Sequence, residues 1–84
     1  MKFFVYILYS EKCDRYYIGY SEDPFKRLNE KHNVGRVKAT KYCFPYILKA
    51  TKQFDTELDA IREERRIKLK KSRDYIVSLI NGNW

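Results

Sequence analysis

A carboxylate on the inward side of a helix is the first residue in this sequence that calls for a chemical explanation. TELDAIREERRIKLKK, beginning at Thr56, reads as a helix from residue 57. At about 100° per residue, Ala60, Ile61 and Ile67 define its core-facing arc. Glu64 falls inside that arc, whereas its neighbour Glu63 is expected to point to solvent. An unpaired carboxylate is expensive to bury. Glu64 is therefore either closed in an internal salt bridge to a Lys or Arg, or is a metal ligand or catalytic acid at a cleft edge. Two tyrosines supply the second clue. In RYYIGYS, residues 15 to 21, Tyr16, Ile18 and Tyr20 share one strand face, and Tyr17 and Gly19 share the other. Gly19 removes a side chain beside the Tyr17 ring, which leaves room for something to approach. In FFVYILY, residues 3 to 9, Tyr6 lies between Phe4 and Leu8 on one face. If the two segments pair as a hairpin, Tyr6 and Tyr17 can share a side, in a register that sequence does not fix. Phenols so placed can orient water or move a proton. The alternative is core packing with the hydroxyl at the rim, which is the default for Tyr9, Tyr16, Tyr20, Tyr42, Tyr46 and Tyr75.

Cations supply the third clue. Arg27 sits on the border of a helix side marked by Phe25, Leu28 and His32, where its five donors could grip a phosphate. A solvated arginine is the plainer reading. His32, near the helix end, can serve the same centre or simply interact with the terminal carbonyls. Lys26, Lys31, Arg36, Lys38 and Lys41 surround this region with positive charge, and a second basic group runs from Arg62 to Arg73. Such clusters suit sequence-independent contact with a nucleic-acid backbone.

These side chains need a scaffold. FFVYILY is apolar on both faces, as a central strand covered on both sides should be. SEKCDR makes the turn, and YYIGYS returns as the second strand. Asp23 before Pro24 starts a helix to about His32, with the carboxylate capping free N–H groups and proline at the first helical position. Residues 33 to 44 form a basic loop, and PYILKATKQF, 45 to 54, a third strand. The helix capped by Thr56 follows, then a short one opened by Ser72 with an apolar stripe of Tyr75, Ile76, Leu79 and Ile80. The tail NGNW is expected to be loose. The fold class is thus α/β (α+β): a small three-stranded sheet flanked by helices, in the order β-β-α-β-α-α.

The 84 residues suit one domain with a thin core, reinforced by an aromatic content of 17%. Lys plus Arg total 18 against 11 Asp plus Glu, a net charge of +7 that favours anionic partners, nucleic acid above all. The first ten residues read as a strand, not a signal peptide, and no segment approaches the ~20 apolar residues of a membrane span. Cys13 and Cys43 lack zinc-ligand spacing, and two free thiols in a reducing cytoplasm are expected, a disulfide being the alternative.

VYI at 5–7, YIG at 17–19, DPFKRL at 23–28, HN at 32–33 and AIREE at 60–64, taken in order, resemble the GIY-YIG nuclease superfamily. GRVKATK at 35–41 and KSRDYI at 71–76 resemble its small single-domain, UPF0213-like bacterial branch. The resemblance implies one domain over 1–84 and a three-stranded antiparallel sheet. It also implies an endonuclease of repair or recombination that hydrolyses DNA phosphodiesters with one divalent ion, Mg²⁺ or Mn²⁺. Carried across, Glu64 is the metal-binding glutamate, Tyr6 and Tyr17 the motif tyrosines, Arg27 the phosphate-steadying arginine and His32 the histidine after it. Either tyrosine, its pKa lowered by metal and arginine, would assist the attacking water. Two departures stand out. Val5 replaces the leading glycine, and five residues separate Arg27 from His32 where four are expected, so that Lys31 fills the usual slot. The competing readings are a non-catalytic nucleic-acid-binding module with the same fold and an accessory protein of a larger repair machine.

Overall fold

The structure, a computed structural model, describes residues 2–38 and 40–84; Met1, and Ala39 within the GRVKATK stretch, lie outside the described residues. Three strands form one antiparallel sheet: β1 (Phe3–Ser10), β2 (Arg15–Ser21) and β3 (Ile47–Phe54), in the order β2-β1-β3. The chain order β-β-α-β-α-α is as expected. The two-sided apolar pattern of β1 places it in the centre, where Val5, Tyr6, Ile7 and Leu8 are all buried.

Each face of β1 is covered differently. Val5 and Ile7 pack with Ile18, Ala60, Ile67 and Leu79. That face carries α2 (Glu57–Lys70) and the last helix, α3 (Arg73–Ser78), which continues as a π-helical turn over Leu79–Asn83. Tyr6 and Leu8 pack with Leu28, Cys43 and Tyr46 beneath α1 (Pro24–Arg27), its own π-helical continuation Leu28–His32, and the loop that follows. All three helix starts use the caps read from sequence: Asp23 accepts from the Lys26 N–H, Thr56 from Asp59 and Ser72 from Tyr75.

Four expectations need correction. β3 begins at Ile47, not at residue 45, because the Asn33 side chain occupies the Tyr46 backbone. Asn33 Oδ1 accepts from the Tyr46 N–H at 2.6 Å, and Nδ2 donates to its carbonyl at 3.1 Å. NGNW is not loose: the chain turns at Gly82 (φ 107°), and the Trp84 indole N–H donates to Glu63 Oε2 at 2.7 Å. Glu63 accordingly does not project into solvent. Arg66 grips both of its oxygens at 2.7 Å, and its side chain is less exposed than that of Glu64, 12% against 17%. Finally, Cys13 and Cys43 are not free thiols but a disulfide that ties the β1–β2 turn to the segment before β3. With them goes the support that free thiols gave to a reducing compartment. No helix among the described residues is long and apolar enough to cross a membrane.

Candidate active site

Strand register decides what the two tyrosines can do. Tyr6 pairs with Gly19 and Leu8 with Tyr17, so Tyr6, Gly19 and Tyr17 share one face, as the hairpin reading required. The space at Gly19 is not left for a ligand. A Cβ there would meet Tyr6 Oη at 2.5 Å and Tyr17 Cε2 at 3.0 Å. The missing side chain is the slot in which the Tyr6 hydroxyl end sits. Tyr6 is buried, whereas Tyr17, its ring centroid 6.4 Å away, is half-buried and reachable.

His32 completes this inner layer. Its ring is fully buried, 4.9 Å from that of Tyr17 and 5.7 Å from that of Tyr6, centroid to centroid. The five-residue interval from Arg27 does not rotate it away. The helix widens into a π turn at Leu28–His32, closed by the Asn33 N–H donating to the Leu28 carbonyl at 2.8 Å, and the extra residue is absorbed there. Lys31, in the expected slot, instead lines a surface depression. The imidazole does not interact with terminal carbonyls. Nε2 lies 2.8 Å from Tyr6 Oη, and Nδ1 lies 2.9 Å from Thr40 Oγ1.

Both ring nitrogens are thus hydrogen-bonded, and with the Thr40 hydroxyl turned toward the Val37 carbonyl at 3.4 Å the assigned tautomer has Nδ1–H donating to Thr40 and Nε2 accepting from Tyr6. Electrostatics agree. Burial, reinforced by the Arg27 charge, pulls the His32 pKa down to about 4 and keeps the ring neutral. Burial pushes the Tyr6 phenol well above its ordinary range. Tyr17 adds to that rise, the Arg27 guanidinium beside it opposes, and the Glu64 charge raises it a little more. At Tyr6, burial therefore outweighs the arginine.

Arg27 and Glu64 approach this layer from different elements. Arg27, in the last turn of α1, is exposed beside the Tyr6 phenol. Glu64, on α2, accepts from Lys68 Nζ through Oε1 at 2.8 Å. The salt bridge considered for this carboxylate is thus present, one helical turn away and at the surface, with both side chains partly exposed. Among the described residues Glu64 Oε2 has no hydrogen-bond partner. No three His, Cys, Asp or Glu side chains cluster among them as a metal cage would require. A single carboxylate with one open oxygen still fits an ion that keeps most of its waters, as Mg²⁺ does.

The proposed backbone contacts divide. Lys26 and Lys31 line a depression of about 430 Å³ with Arg27, which also contains the carboxylates of Glu22, Asp23 and Glu30, so its charge is mixed. Arg36, Lys38 and Lys41 lie exposed on the loop, with Lys41 stacked over Tyr42. Several residues that position the site were missed. Thr40 orients His32, and Asn33 anchors the loop to the start of β3. Both lie in stretches that carry the resemblance, HN and GRVKATK. Lys68 was legible as the i+4 partner of Glu64.

A family described as the GIY-YIG catalytic domain matches residues 2–76 of this chain. The chain belongs to the GIY-YIG domain family. Its relatives carry the match further. The UPF0213 protein VNG_2274C of Halobacterium salinarum is 43% identical over 54 residues, 63% of this chain and 69% of that protein. The solution NMR structure of the UPF0213 protein BH0048 from Bacillus halodurans superposes with a TM-score of 0.59 at 33% identity, covering 98% of this chain and 88% of that one. The nuclease-type family and the three-stranded sheet with its helices thus agree with the resemblance drawn from the motifs.

Proposed function

We propose that this GIY-YIG chain, one domain over residues 1–84, is a divalent-metal-dependent endonuclease that hydrolyses DNA phosphodiesters in repair or recombination. The observation that carries this reading is the tyrosine–histidine layer on one sheet face and the opposite charges that act on it from two helices. The two phenols and His32 form a single packed layer, and the charges of Arg27 and Glu64 both act on the Tyr6 hydroxyl. The net charge of +7 supports a DNA substrate bound through its backbone, with Lys26, Lys31, Arg36, Lys38 and Lys41 nearby. A DNA substrate would place the chain in the cytoplasm.

The division of labour follows from exposure. Arg27 reaches solvent and would grip a non-bridging oxygen of the scissile phosphate. Tyr17, the reachable phenol, would orient the attacking water and pass its proton outward. Tyr6 and His32 are positioning residues: their hydroxyl and ring nitrogens are already committed to each other and to Thr40, which holds the layer in one arrangement. Glu64 would hold the ion, Mg²⁺ or Mn²⁺, whose charge at the phosphate supplies Lewis-acid stabilisation.

Glu64→Gln should lower Mg²⁺- or Mn²⁺-dependent cleavage of supercoiled and branched DNA by about a thousandfold, the weight of several kcal/mol. It should leave the thermal transition close to that of the parent. Undiminished cleavage by that variant overturns the mechanism. The second reading, a binding module without turnover, draws on the Glu64–Lys68 ion pair, which already engages one oxygen of the proposed ligand. Salt-sensitive DNA binding with no cut in any substrate or metal would decide for it.

A further inference from the structure

Lys68 has two attachments, both to residues of the proposed site. Its ammonium lies 2.8 Å from Glu64 Oε1 and 5.8 Å from the centroid of the Tyr17 ring. Tyr17 faces the side of the sheet opposite α2, so Lys68 reaches it past β2, the strand at the sheet edge. Tyr17 and Lys68 also line an open depression of about 390 Å³, floored by three isoleucines and rimmed by Tyr16, Lys71, Ser72 and Arg73. Arg73 is already held by Asp14, whereas Lys71 forms no ion pair among the described residues. An exposed helical i, i+4 pair of this kind is weak, so it is readily exchanged for another partner.

We propose that Lys68 is a substrate-operated gate. It occupies the Glu64 carboxylate until a DNA backbone phosphate draws it into the depression it shares with Lys71, so that DNA and the divalent ion load together. The proposal rests on Glu64 as the ion ligand and adds a rule for when that ligand is free. An ammonium and a divalent cation compete for the same carboxylate. A phosphate offers the ammonium a replacement at the moment the ion is needed. By linkage, whatever DNA does for ion affinity the ion does equally for DNA affinity.

The test is Mn²⁺ titration of DNA-free protein, read by paramagnetic broadening of backbone amide signals near residue 64. It compares the parent chain with Lys68→Met, which keeps the apolar stem over Tyr17 and removes the charge, and with Glu64→Gln. Lys68→Met is expected to bind Mn²⁺ about twofold more tightly, the weight of the exposed ion pair it removes. Its metal-free DNA binding should weaken, with the salt slope reduced by about one. Parent-like Mn²⁺ affinity in Lys68→Met, with binding lost in Glu64→Gln, overturns the gate and leaves the ion site standing. Parent-like binding in Glu64→Gln overturns both.

Discussion

The two faces of this sheet are built on different principles. Toward α2 and α3, Val5, Ile7, Ile18, Ala60, Ile67 and Leu79 meet through non-directional apolar contact. Toward the loop and α1, the buried surface contains a phenol, an imidazole, a threonine hydroxyl and Ser10, which donates to the Cys43 carbonyl at 2.6 Å. Among the described residues, no buried side-chain nitrogen or oxygen lacks a partner. The first face tolerates any well-shaped apolar filling. The second admits few alternatives, because each polar group left without its partner costs about 1–3 kcal/mol. Apolar filling and the buried polar network thus lie on opposite sides of one central strand.

The contrast can be broken from either side. The largest stability loss should come from Ile67→Ala, about 2–5 kcal/mol for a cavity in the apolar face. Activity per folded molecule should not change. Denaturant unfolding alongside cleavage rates would check this, and a lowered rate in the folded fraction would show that the faces are coupled. Gly19→Ala should cost less, about 1–3 kcal/mol for overpacking. It should nevertheless abolish cleavage, because the new methyl competes with the Tyr6 hydroxyl for the same space. An active Gly19→Ala protein would mean that the position of Tyr6 is immaterial.

The smallest effect sharpens the comparison without a mutation. The folded-state pKa of His32, about 4, lies below the ordinary value of 6.5, so the unfolded chain binds more protons between these limits. The stability linked to His32 is therefore present in full above pH 6.5 and declines as pH falls toward 4. Denaturation midpoints should drop modestly from pH 7 to pH 5 while the ring NMR signals stay those of a neutral imidazole. A ring that titrates near 6.5 in the folded protein would contradict its burial.

Sequence revealed what depends on nearby residues. The caps at Asp23, Thr56 and Ser72 and the two-sided burial of β1 follow from alternation and short spacing. What it concealed depends on distant pairings. The relative burial of Glu63 and Glu64 turns on Trp84, 21 positions beyond Glu63. The Cys13–Cys43 bridge joins segments 30 residues apart. The Gly19 slot is filled from the neighbouring strand, and no property of RYYIGYS alone shows what fills it.

The widened turn ahead of Asn33 has a consequence for comparing sequences. A helix lengthened by one residue normally spins everything downstream out of phase, but here the surplus is swallowed locally and the imidazole arrives in step. Any pattern that fixes the interval after the arginine would select the Lys31 ammonium and pass over the interior ring beside it. Alignments of such chains therefore need a gap placed inside the helix, at the position where the backbone takes its wider loop.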